Sequence, residues 1–297
     1  MNRSRRNQRK VRRKLESIGY LMSLPYILHF LAFGAYPLAF AFILVFHKWN
    51  IYLPMKWVGW GNIRFLIHDP LVWKALWNTF YFVLIHIPAQ LVVALALAEL
   101  LNRPVRGRTL FRAIYFMPVV ISGVVITILW QQLYAQDTGL LNRALTAVGL
   151  PRIPWLTDYR LAMPSIAVMA TWKNVGFYVV LFLVGLQSIP RSLYEAAALD
   201  GASEWKQFWH ITLPMLNPTI LLVLILSTIG GFSLFIEPYI MTGGGPANST
   251  LSGVLYLYKQ AFFFNRMGYA ATIGFFWAMM IFVVVLLQRK VVERDVG

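Results

Sequence analysis

Six apolar runs, each close to the length of a bilayer crossing, leave few folds open to this chain. They fall at 24–46, 75–98, 111–134, 163–186, 215–236 and 269–287. About 20 apolar residues suffice for a helix to cross the ~30 Å hydrocarbon core. Hydrocarbon offers a bare backbone no hydrogen-bond partner, so each run is predicted to be a helix and the chain an all-α integral membrane protein. Pro37, Pro88, Pro118 and Pro218, with Gly230 and Gly231, punctuate these runs at points where neighbours or a cavity must satisfy the freed groups.

The net charge of +16 would suggest nucleic acid as the partner of a soluble protein. In a membrane chain it reports topology, and no nucleic acid is expected. Residues 1–22 hold Arg3, Arg5, Arg6, Arg9, Lys10, Arg12, Arg13 and Lys14. The apolar run behind them is longer than the ~7–15 residues of a signal-peptide core, so it is predicted to stay as the first span behind a cytoplasmic tail. With the N-terminus inside, seventeen of the 27 Lys and Arg lie on the cytoplasmic side, including Arg103, Arg106, Arg108, Arg112, Arg191, Lys206, Arg289, Lys290 and Arg294. Nine lie outside, which favours that orientation and places both termini in the cytoplasm.

The most polar stretch between two spans is 189–218, IPRSLYEAAALDGASEWKQFWHITLPMLNP. Ser192 with Glu195 three residues on reads as a capping box, predicting a helix from about Leu193 that stops at Gly201, where a left-handed backbone costs nothing. A second short helix over SEWKQFWH is predicted to end before Pro214. Ala196, Ala197 and Ala198 would let another backbone approach, and Glu195, Asp200 and Glu204 would face a basic groove on a partner. The alternative is a hairpin resting on headgroups with Trp205, Phe208 and Trp209 inserted.

Glu195-Ala196-Ala197, Asp200-Gly201-Ala202, Ile211-x-Leu213-Pro214 and Pro218 resemble the EAA loop of permease subunits in binding-protein-dependent ABC importers. Trp172, GLQSIP at 185–190 and TGGGP at 242–246 extend the resemblance to the carbohydrate-uptake class, the maltose-type permeases, over roughly residues 25–290. The resemblance implies a type I ABC importer permease fold: a tail over 1–22 and a six-helix domain over 23–297, in a prokaryotic plasma membrane. It implies coupling to an ATPase dimer through Glu195, Ala196, Ala197, Asp200, Gly201, Ala202, Leu213 and Pro214. It also implies a second permease subunit, usually a different chain, and an extracytoplasmic solute-binding protein facing the 243–250 loop. By composition that loop is only a flexible turn.

Lys173 lies midway in the fourth run, where a bare charge costs at least ~2.5–3.5 kcal/mol, so it must face the bundle interior, a wet cavity or another subunit. Trp172 and Asn174 beside it suit a sugar's apolar faces and hydroxyl rim, although interhelical glue is an equal reading. The resemblance places a sugar site at 119–123, 170–174 and 227–234, which here offer Ser122, Trp172, Asn174, Ser227 and Thr228. Ala170, Gly231 and Leu234 stand where maltose permeases carry asparagines, which points away from maltose within the carbohydrate class.

His29 and His86 read as packing residues, Glu99 and Glu237 as solvated span ends, and Trp49, Trp57, Trp60, Trp73 and Trp77 as an interfacial belt. There is no cysteine, no HExxH or GxSxG pattern and no Gly-Lys pair for a phosphate loop, so this chain is expected to bind no metal or cofactor. ATP and Mg belong to the partner subunits. A self-sufficient secondary transporter or channel would want internal repeats and an ion site, and a membrane-embedded enzyme would want a nucleophile or metal cluster; neither pattern stands out.

Overall fold

The computed structural model describes residues 19–103 and 107–292; the predicted tail cations Arg3 to Lys14, with Arg106 and Arg294, lie outside the described residues. Helix α1 (Gly19–Val45) contains a widened π turn at Leu31–Ala35. That turn sits directly before Pro37, which has no N–H to donate and whose ring crowds the carbonyl four residues back. Two-residue strands His47–Lys48 and Lys56–Trp57 pair antiparallel and lead to α2 (Gly61–His68) and α3 (Pro70–Asn102).

Next come α4 (Arg108–Val120), α5 (Gly123–Leu133), α6 (Leu140–Ala147) and α7 (Ala162–Ser188). A short hairpin of α8 (Arg191–Leu199) and α9 (residues 204–215) separates α7 from α10 (Asn217–Phe232). The chain ends with α11 (Ile236–Met241), α12 (residues 253–263) and α13 (Met267–Val292). Five segments among the described residues are long and apolar enough to cross a membrane, and the α4–α5 pair brings the number to six when its two halves are counted as one broken span.

The bend in that pair falls just beyond Pro118, one of the residues that punctuate the run 111–134. The chain bends by 106° between the two halves, because Ile121 and Ser122 are extended, with ψ of 144° and 129°. Pro118 has already removed one N–H from the ladder. Pro88, by contrast, is accommodated inside the unbroken 33-residue α3, and Pro218 sits in the first turn of α10, where no N–H is needed. The fifth run breaks at 233–235, just beyond Gly230 and Gly231, before resuming as α11.

Helices α3 and α7 pack along most of their lengths. Lipid is as apolar as leucine, so close backbone approach rather than hydrophobic exclusion joins membrane helices. Ala75, Ala94 and Ala98 on α3 and Ala162 on α7 are fully enclosed. A Cβ at Gly176 would lie 2.0 Å from the Tyr115 carbonyl oxygen, so α4 and α7 touch backbone to backbone. Helix α1 is the exception: only 6% of its most apolar window is buried. It lies against α13, with Phe42 edge-on to Phe275 at 5.5 Å.

Candidate functional site

The hairpin at 189–218 is anchored on its inner side and bare on its outer side. Helix α8 begins one residue after Pro190, with no side-chain cap. This corrects the Ser192 capping box: the pre-proline residue Ile189 is held extended, the helix starts directly after Pro190, and Ser192 falls inside its first turn. The stop is as predicted. Gly201 has φ +76°, its N–H donates to Ala198 at 3.1 Å, and the Ala202 N–H donates to Ala197 at 2.9 Å. That doubly bonded left-handed stop is the Schellman arrangement.

The second helix does not end before Pro214 but runs to Met215, because a π turn at Phe208–Thr212 reshapes the ladder just ahead of the proline. Ser203 caps its start. The Tyr194 hydroxyl meets Thr212 Oγ1 at 2.8 Å, and Arg103 at the end of α3 pairs with Glu204 at 2.9 Å. Glu195, Ala196, Asp200, Gly201 and Pro214 are exposed, while Ala197, Ala202 and Leu213 are half-buried. Leu199, which the sequence reading passed over, is 91% exposed at the tip beside Asp200. Trp205 and Trp209 are exposed and packed on each other at 5.6 Å. Glu99, expected to be solvated, is half-buried with Oε2 enclosed and lies near Arg103 and Glu204.

At membrane depth, Lys173 Nζ donates to Glu237 Oε1 at 3.1 Å. Glu237 is therefore buried rather than a solvated span end. A Cβ at Gly123 would lie 2.9 Å from that ammonium, so the pair sits against the start of α5, beside the exposed Ser122. Trp172 is exposed, packs on Trp130 at 5.3 Å, and lines a cavity of about 470 Å³ with Ile85, Ala89, Tyr115 and Pro118. Asn174 is half-buried one position past Lys173.

Ser227 and Thr228 lie elsewhere. Both are buried; Ser227 accepts from Gln90 Nε2 at 2.6 Å and Thr228 from Gln288 Nε2 at 2.8 Å, joining α10 to α3 and α13. His86 is a packing residue, stacked on Phe82 with Nδ1 against Thr171 Oγ1 at 2.8 Å.

The end of the bundle opposite the hairpin is more ordered than its composition suggests. In the 242–250 loop, Asn78 Nδ2 donates to Asn248 and Leu251 carbonyls at 2.7 and 3.0 Å. Thr250 bonds Thr242 and the Gly245 carbonyl, and Lys259 Nζ donates to the Gly243 carbonyl at 2.6 Å. Burial lowers the Lys259 ammonium from its ordinary value. The flexible turn is thus a pinned loop. Nearby, buried Asp69 caps α3 through Leu71 and accepts from the Tyr256 and Tyr269 hydroxyls at 2.5 and 2.6 Å. Burial, and then the bond to Asp69, pushes the Tyr256 phenol above its ordinary value, so it stays a donor. Trp57, Trp60, Trp73 and Trp77 are exposed, whereas Trp49 is half-buried and packs edge-on to Phe40 at 5.7 Å.

A broken third apolar run, a hairpin between α7 and α10, and a pinned glycine-rich loop thus frame the apolar helices. Residues 90–295 match the family described as binding-protein-dependent transport system inner membrane component. The chain belongs to that family: it is a multi-pass permease subunit of an ABC importer, a component that is not itself catalytic. It is similar to the lactose transport system permease protein LacF of Rhizobium radiobacter, 39% identical over 91% of this chain and 92% of that one. It is also similar to the arabinooligosaccharides transport system permease protein AraP of Bacillus subtilis (strain 168), at 37% identity over 91% and 87% of the two chains. Among solved structures, a chain of a bacterial ABC transporter that imports the acidic polysaccharide alginate superposes with a TM-score of 0.81 at 25% identity, over 98% of this chain and 100% of that one. A second structure of the bacterial alginate transporter, in complex with an alginate pentasaccharide-bound periplasmic protein, gives 0.79 at 26% identity, over 93% and 94% of the two chains.

Proposed function

We propose that this chain translocates a sugar or oligosaccharide handed over by an extracytoplasmic solute-binding protein, by alternating access driven by a dimer of partner ATPases. Relatives named for lactose, arabinooligosaccharides and trehalose/maltose support the substrate class. The observation that carries the coupling role is the bare outer side of the hairpin, with Leu199 91% exposed at its tip. Leu199 does not stand alone: Trp205 and Trp209 are exposed on the same hairpin, which Tyr194–Thr212 and Arg103–Glu204 brace from within, and several exposed apolar side chains on one braced element suit a surface that another protein covers. Glu195, Ala196, Ala197, Asp200, Gly201, Ala202, Leu213 and Pro214 form the surface presented to an ATPase, which holds ATP and Mg. The hairpin end faces the cytoplasm with both termini, and the 242–250 loop faces the binding protein. A second permease subunit, a different chain, covers the open flanks of α1 and of the Trp172 cavity.

Trp172 offers an aromatic face to that cavity, and half-buried Asn174 and exposed Ser122 offer hydrogen bonds to the sugar outside its lining. Ser227 and Thr228 join them when a shift of α10 releases Gln90 and Gln288. Asn174→Ala is expected to raise the half-saturating sugar concentration for uptake by about tenfold, the value of roughly 1.4 kcal/mol of lost polar contact. Complex yield should stay unchanged, and unaltered uptake kinetics would count against the assignment.

The test of the whole reading is to purify a tagged copy from native membranes in mild detergent and identify the co-purifying chains. A P-loop ATPase is expected, and it should disappear when Glu195 and Leu199 are replaced by alanine. An ATPase retained in full by that variant would move the coupling surface elsewhere.

A further inference from the structure

The Lys173–Glu237 pair lies where several interruptions of the fold meet, and neither the hairpin nor the sugar cavity accounts for it. Glu237 occupies the first turn of α11, which the break at 233–235 cuts off from α10. At its other end α11 runs straight into the pinned 242–250 loop. It lies along α5, where Gln131 Nε2 donates to the Ile240 and Met241 carbonyls at 3.0 and 3.3 Å, and it makes much less contact with α7. Lys173 belongs to α7, which runs unbroken to Ser188 and is separated from α8 only by Ile189 and Pro190. From Lys173 to Ser188 is about 22 Å at 1.5 Å per helical residue. One ion pair thus joins the loop end to a rod that terminates at the hairpin.

We propose that Lys173 and Glu237 are positioning residues, a mechanical tie that carries engagement of the binding protein at the 242–250 loop into α7 and so into the coupling helix. The proposal rests on the docking of the binding protein at that loop. The chemistry suits a tie. The two side chains are only 16% and 10% exposed, so water screens their attraction poorly, and parting them would strand an uncompensated buried charge. A displacement of α11 therefore moves α7 rather than sliding past it, as an apolar contact would allow. The ammonium also lies close to Gly123, so the pair sits at the start of α5.

The test uses the whole importer in vesicles, comparing Glu237→Gln, Lys173→Met and the reversed pair Lys173→Glu with Glu237→Lys. Three quantities are read: affinity for the sugar-loaded binding protein, ATP hydrolysis without it, and hydrolysis with it. Each single variant is expected to keep the first two and to lose about tenfold of the stimulation, within the usual span of coupling between sites. The reversed pair is expected to recover most of it. Should Lys173→Met fail to assemble, Glu237→Gln and Glu237→Asp keep the comparison open. Equal loss of hydrolysis with and without the binding protein, a reversed pair no better than the single variants, or rescue by excess sugar would each overturn the tie. Docking is tested separately with Asn248→Ala and Ser249→Ala: unchanged affinity there refutes docking at the loop, whereas stimulation that survives in the single pair variants refutes the tie whatever the docking variants show.

Discussion

An importer carrying Gly201→Val is expected to hydrolyse ATP while accumulating about tenfold less sugar. Gly201 holds φ +76°, a region that costs an L-residue roughly 1–2 kcal/mol and a β-branched one more. The variant can relieve that strain only by unwinding the stop at Ala197–Ala202, which would swing Leu199 and Asp200 away from the position the hairpin sets. Each 1.4 kcal/mol of weakened docking is about tenfold in coupling. Gly201→Asn, which tolerates the left-handed region, should retain most of the uptake. Uptake and ATPase assays on the same vesicles decide the matter, and normal sugar accumulation by the valine variant would dismiss this role for the turn.

The second large effect is on stability. Asp69→Ala removes the cap of a 33-residue helix, worth ~0.5–2 kcal/mol, and strands the buried hydroxyls of Tyr256 and Tyr269 at about 1–3 kcal/mol each. The three elements Asp69 joins, α3, α12 and α13, would loosen together. A fall in the melting temperature of the purified complex on the order of 10 °C is expected, at the ~2–4 °C per kcal/mol usual for chains of this size. Asp69→Asn keeps the cap and one acceptor and should fall by less. An alanine variant that melts with the wild type would show the cluster to be redundant.

The two largest effects differ in how far the sequence announced them. Gly201 could be read in advance, because a glycine after a run of helix formers signals its own backbone geometry locally. Asp69 could not: its partners stand 187 and 200 residues away, and no periodicity or spacing reports such a contact. The same holds for Lys173. Its cost at mid-membrane showed that it needed a partner, but Glu237 is 64 positions distant and looked like a solvated span end. Spans were legible as apolar runs, yet their continuity was not. Pro88 and Pro118 read alike in sequence, and only packing decides that α3 carries one through while the third span breaks beyond the other. The glycine-rich loop misled for a related reason, since composition describes freedom in an isolated chain and Asn78, Thr250 and Lys259 remove it.

The placement of α1 has a consequence in time. Among the described residues its one extensive helical neighbour is α13, and about 220 residues separate the end of the first from the start of the second. At a synthesis rate of ~5–20 residues per second, α1 waits in the bilayer for on the order of 10 to 45 seconds before its own partner emerges from the ribosome. Throughout that interval its flank is open to any other helix nearby, so α1 is first in the bilayer and among the last spans to be enclosed by its own chain.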